Sequence, residues 1–190
     1  MRQGHLGSID FSGIDEVINF WFVDSSPEQW FKKDPAFDSL VAERFKSLHS
    51  VAMKCELYNW RDRPKGRLAE IIILDQFSRN IYRGRKEAFA GDPIALALSQ
   101  EALHAGAHAS LAAPEKAFLY MPFMHSESAV IHEKAIQLFG QPGMEKSLAF
   151  ELRHKAIIDR FGRYPHRNDI LGRVSTEEEI AFLKMPGSSF

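Results

Sequence analysis

PKGRLAEIIILDQF, residues 64–77, decides the fold class of this 190-residue chain. Its centre, Ile71-Ile72-Ile73-Leu74, is β-branched and apolar enough to be a buried strand. A strand needs partners, and no nearby segment alternates apolar and polar residues with a period of two. Pro64 suits the first turn of a helix, where its missing N–H costs nothing. The stretch is therefore read as a helix from about Pro64 to Phe77, buried on most sides.

Outward from it the helical period recurs. Ser12 and Asp15 form a capping-box-like pair for a helix reaching about Phe22. Pro27 to Lys33 reads as a short helical turn carrying Trp30 and Phe31. Asp34-Pro35 is a cap followed by proline, and Phe37, Val41, Phe45, Leu48, Ala52 and Cys55 mark one side of a helix stopping near Leu57. Asp92-Pro93 repeats that start for a helix ending near Gly106. Pro114 opens another, which Pro122 must kink or end. Ser126 is placed to cap the next, which ends at Phe139-Gly140. Met144 to Phe161 is a long helix with Gly162 at its left-handed stop. Ser175 and Glu178 make a capping box for a short last helix. The expectation is one all-α domain over residues 1–190, eight to nine helices, with 1–10 and 186–190 as frayed tails.

Bulk composition narrows the function classes. Net charge is -1 from 24 basic and 25 acidic side chains, so no strong field steers the protein to nucleic acid or an anionic membrane. Cys55 is the only cysteine, which excludes an internal disulfide and a thiolate metal cluster. The N-terminus lacks the apolar run of a signal peptide, and no apolar run is long enough to cross a bilayer. A cytoplasmic protein is expected, with a homo-oligomer left open. No Walker loop, G-x-G-x-x-G or G-x-S-x-G occurs, so P-loop, dinucleotide and serine-hydrolase chemistry has no support. No cofactor is expected.

The residues that carry chemistry gather late in the chain. Positions 153–173 hold five of the 13 arginines, together with His154, His166 and Asn168. Guanidinium forks at helix ends hold carboxylates and phosphates. The window Ile73-Leu74-Asp75-Gln76-Phe77-Ser78-Arg79 echoes Ile157-Ile158-Asp159-Arg160-Phe161-Gly162-Arg163, with Arg83 and Arg167 each four residues further on. Two related halves could thus bring arginine-bearing helix ends together, although arginines also neutralise helix carbonyls through the macrodipole. The candidate ligand-binding set is Arg79, Asn80, Arg83, His125, Glu127, His154, Arg163, His166, Arg167, Asn168 and Arg173. The proline break before His125 and Glu127 marks a pocket wall, and His125, Glu127 and His166 are the candidates for acid–base work.

Three readings compete with a binding site for an anionic peptide or small molecule. In one, the same arginines hold a substrate while His125 or His166 moves a proton, oriented by Glu127 or Asp159. In another, the E-x-x-H pairs Glu101/His104 and Glu151/His154 join Glu70, Asp75 and Glu127 in a di-metal site; chance supplies such pairs readily, and no metal ligand is assigned. In the third, each arginine clamps loop carbonyls and acids as internal scaffolding.

LDQFSRNIYRG at 74–84, AFAGDPIAL at 88–96, FLYMPFMHSE at 118–127, HKAIIDRFGRYPHRNDILGRVSTEEEIAFL at 154–183 and the N-terminal VINFWF together resemble the bacterial proteins catalogued as domain of unknown function 924. Ser78 stands where that family commonly has proline. The resemblance implies an all-helical fold of antiparallel helices in a tetratricopeptide-like right-handed superhelical stack. It implies no established activity and assigns no catalytic residue.

Overall fold

In the computed structural model, which describes residues 12–189, the β-branched run 71–74 is helical and completely buried. The helices are α1 (Ser12–Asn19), α2 (Pro27–Phe31), α3 (Pro35–Ala52), α4 (Pro64–Ile72), α5 (Ser78–Ile81), α6 (Asp92–His104), α7 (Ala113–Met124), α8 (Ala129–Phe139), α9 (Glu145–Phe161) and α10 (Glu177–Leu183). No strand occurs among the described residues. None of their helices is long and apolar enough to cross a membrane. The expected tail at 1–10 lies outside the described residues; at the other end Ser188 donates to the Leu183 carbonyl (3.1 Å).

Helix α4 is central: it is buried from Leu68 to Ile72 and packs on α1, α6 and α7. Gly66 lets it approach so closely. A Cβ there would stand 2.0 Å from the Trp60 carbonyl oxygen, in the tight turn Tyr58–Asp62 that precedes α4. Beside it, Trp21 meets Phe77 and Phe118 edge-on at 5.5 Å each, and Phe45 stacks on Phe77 at 4.6 Å. Each such buried ring contributes on the order of 1.5–3 kcal/mol by leaving water. From α6 onward, successive helices pack on one another, α6 on α7, α7 on α8 and α8 on α9. A smaller apolar cluster of Ile157, Ile158 and Tyr164, with Phe161 and Phe182 against it, ties the C-terminal turns to α9.

Several boundaries differ from the sequence expectation. The helix at 64–77 does not stop at Phe77: it passes through a π-helical turn at Ile73–Phe77 and continues as α5. Helix α3 ends at Ala52 and the chain turns through Cys55 in the left-handed region (φ 58). Cys55 is therefore exposed rather than on the buried face. Pro122 lies inside α7, which runs on to Met124. Ser128, not Ser126, precedes α8, and the last capping box is Thr176 with Glu179, one residue later than expected. Asp34 does cap α3, accepting from the N–H groups of Ala36 (2.9 Å) and Phe37 (3.3 Å).

A candidate cleft around a buried aspartate and His125

The π-helical turn at Ile73–Phe77 is the local feature from which the site is built. Such a turn holds one residue more than a regular helical turn, which alters the facing of the side chains it carries. Here Asp75 and Gln76 are both buried, Asp75 at 1% exposure. Ser78 donates to the Leu74 carbonyl (2.6 Å) and accepts from His49 Nε2 (2.7 Å), closing the turn.

Asp75 Oδ1 accepts from His125 Nδ1 at 2.7 Å, and Arg79 Nη1 stands 3.1 Å from the same oxygen. Gln76 Nε2 donates to the other oxygen. Burial alone would raise the carboxyl pKa, but Arg79 and His125 together outweigh it and hold Asp75 well below the usual carboxylate range. A carboxylate only accepts, so the His125 proton lies on Nδ1 and Nε2 keeps its lone pair. Burial lowers the His125 pKa, against the pull of Asp75. Among the described residues Nε2 has no hydrogen-bond partner, and His125 lines a cleft of about 660 Å³.

The cleft lies between the segment 86–96 and the end of α7. Phe89, Leu96, Pro122 and Leu171 supply an apolar wall, and Asp92, Glu127 and Arg167 bring charge to it. Arg79 grips Asp92 with two bonds (2.8 and 3.0 Å), while Arg167 reaches the same carboxylate with one long bond of 3.4 Å. Asp92 is thus no helix cap, as Asp92-Pro93 had suggested; its side chain is drawn away by two guanidiniums. The Arg167 guanidinium lies over the rings of Phe89 (4.7 Å) and Tyr164 (4.5 Å). Its Nε is buried without a partner among the described residues. Burial, with Arg79 adding repulsion, lowers its pKa.

Of the residues proposed from sequence, Arg79, His125, Glu127 and Arg167 meet around this cleft. The others are held elsewhere. Arg83 and Asn80 bind Asp38. Arg163 makes a two-bond pair with Glu179 (2.7 and 2.8 Å) and also reaches the Val174 carbonyl. Arg173 pairs with Glu127 (2.5 and 2.9 Å) and donates to Asn168, whose amide donates to Ser175. His154 donates from Nδ1 to the Phe150 carbonyl (2.8 Å) and meets the Tyr164 ring edge-on, and His166 lies against the same ring at 5.6 Å. The carboxylate orienting His125 is Asp75, not Glu127 or Asp159; Asp159 pairs with Lys155 instead.

The internal echo does not map onto the geometry. The arginines that converge, Arg79 and Arg167, are not at equivalent positions, and 157–161 is regular helix where 73–77 is a π-helical turn. The di-metal reading loses its ligands one by one. Glu151 pairs with His132 (2.6 Å) rather than His154, Glu101 with Arg67, Glu70 with Arg61 and Glu127 with Arg173. Among the described residues no group of three or more His, Cys, Asp and Glu is arranged to hold a metal ion.

Sequence reasoning weighed Asp75 only as a metal ligand, and missed Asp92 as a site residue and the buried His132–Glu151 pair. An acid directly after four apolar residues was the available signal for Asp75, because a buried carboxylate must find cations or donors. His132 supports the site from beneath, donating from Nε2 to the Ser126 carbonyl (2.9 Å) while Tyr164 Oη donates to the Met124 carbonyl (2.5 Å). The loop that carries His125 is thereby fixed on both sides.

The family profile described as "Bacterial protein of unknown function (DUF924)" matches residues 17–187. A solved structure of a protein of unknown function from Agrobacterium tumefaciens is similar over 91% of this chain and 97% of its own, with 36% identity and a TM-score of 0.86. No curated protein matches the chain.

Proposed function

We propose that this chain, which belongs to the bacterial DUF924 family, uses the cleft beside His125 to hold a small molecule carrying a carboxylate or phosphate group. The observation that carries this reading is the bond from His125 to the buried Asp75, which leaves Nε2 of a cleft-lining ring without a partner among the described residues, beside an Arg167 held to Asp92 by one long bond. A guanidinium with one long bond gains more from an arriving anion than one already gripped by a two-bond pair. Arg79 serves as support, fixing both Asp75 and Asp92. The apolar wall suits a ligand with a hydrocarbon body behind its charged end.

Binding of benzoate, followed calorimetrically, tests the reading. Arg167→Gln should weaken it about 10- to 100-fold, as expected for losing a charged hydrogen bond, whereas Arg160→Gln, on an exposed pair with Glu178, should leave it unchanged. Equal affinity in Arg167→Gln and the parent protein, with a lowered melting temperature in the variant, would instead make Arg167 internal scaffolding.

One observation favours a second reading, an enzyme acting on an anionic small molecule. A histidine whose Nδ1–H is fixed by a buried carboxylate presents Nε2 as a general base. Turnover of generic ester or phosphate-ester substrates that disappears in His125→Gln supports this reading; a parent protein inert toward them contradicts it for those reactions.

A further inference from the structure

We propose that the cleft takes up a proton with each anion it binds, and that His125 Nε2 is where the proton goes. The inference rests on the anion-site reading above and names how that site is regulated.

Charge balance around the ring is the first support. Asp75 and Arg79 face it from the π-helical turn and α5, Asp92 from the start of α6, Glu127 from its own loop, and Arg167 from the turn after α9. Glu127 is matched by Arg173. At the rim, Glu87 pairs with Arg85 (2.8 Å), and Lys86 is exposed, so water screens its charge. Arg79 and Arg167 are matched by Asp75 and Asp92. With His125 neutral, the inner set of Asp75, Arg79, Asp92, Arg167, Glu127 and Arg173 sums to zero. A bound monoanion leaves one negative charge uncompensated against the cleft's apolar wall, where that is costly.

Bond polarity is the second support. An ionised carboxylate or sulfonate has only acceptor oxygens, and Nε2 of the neutral ring is also an acceptor. The two lone pairs repel. Protonating Nε2 turns the contact into a charge-assisted hydrogen bond and restores neutrality in one step. The Asp75 carboxylate behind Nδ1 stabilises the resulting imidazolium.

Other groups nearby are poor competitors for this proton. His154 and His166 also lie within electrostatic reach of His125. Burial holds them down to about 3 and about 4 respectively, so both stay neutral near pH 7. Burial pushes the Tyr164 phenol up, which keeps it protonated throughout. For His125 itself, burial lowers the free-state pKa and an anion raises it. Between those two values the complex holds more protons than the free protein, so affinity falls as pH rises.

Calorimetric titration with benzoate and methanesulfonate, monoanions without a donor group, decides the matter. At pH 7, in HEPES and in Tris, the observed enthalpy should track the buffer ionisation enthalpy with a slope approaching one proton taken up per anion. Affinity should fall by up to about tenfold per pH unit above pH 6.5 until it levels off. His125→Gln should still bind, with a slope near zero and a flat pH profile. Binding without buffer dependence in the parent protein overturns the proton uptake and leaves the anion site standing. A slope that survives in His125→Gln overturns the assignment to His125. Absence of binding by either probe to the folded protein overturns the anion site itself.

Discussion

At pH 4.5 the protein should melt roughly 10 °C below its melting temperature at pH 7.5. His154 and His166 are packed against Tyr164. For His154, burial outweighs its bond to the Phe150 carbonyl and sets a pKa of about 3; for His166, burial, with the Arg167 charge adding to it, sets about 4. In the unfolded chain both titrate near 6.5. Between these values the unfolded state binds more protons, so the stability they allow is full above about pH 6.5 and drains away as pH falls toward 4 and then 3. Two pH units below the unfolded pKa, each group costs roughly 2–3 kcal/mol, less for His166, which is partly exposed. Glu151, whose pKa burial raises, offsets part of the loss by taking up a proton in the folded state. A net loss of about 3–4 kcal/mol corresponds to on the order of 10 °C in a domain of this size. Scanning calorimetry between pH 4.5 and 8 checks it, and a melting temperature constant across that range contradicts the buried neutral histidines.

Replacing Asp75 by alanine should cost about 3 kcal/mol, or on the order of 6–12 °C in melting temperature. The substitution empties a fully buried space and strips three partners of their acceptor: His125 Nδ1, Gln76 Nε2 and Arg79. Arg79 keeps its two bonds to Asp92, which puts the loss at the lower end of the range for broken buried pairs. Asp75→Asn, which keeps the volume and one acceptor oxygen, should cost less. A drop below about 2 °C in Asp75→Ala, read by circular dichroism, would mean that Asp75 does not organise its surroundings.

The fold class was legible because helix-period burial is a local property. Val41, Phe45 and Ala52 lie on the face their spacing predicted, and 71–74 were helical once no partner strand could be found. The π-helical turn at 73–77 was not legible. It depends on tertiary contacts, among them the bond from His49 to Ser78, which local periodicity does not encode. Cap positions slipped by one or two residues because serine, threonine and aspartate crowd those segments, and packing chooses among them. The arginines were located but not their duties: a guanidinium reads the same in sequence whether its carboxylate is four residues away or 75, as between Arg167 and Asp92. Asp92 shows the converse error, a residue that fits a local cap pattern but answers to two distant cations.

Long-range proton–nitrogen correlation spectra of the His125 ring, recorded during a benzoate titration at pH 7, probe the Asp75–His125–cleft arrangement most directly. Free protein should show a neutral ring protonated at Nδ1, with a bare Nε2 signal that moves toward the imidazolium position as benzoate saturates. A ring protonated at Nε2 with Nδ1 bare, or one whose nitrogens do not shift at saturation, would contradict the account.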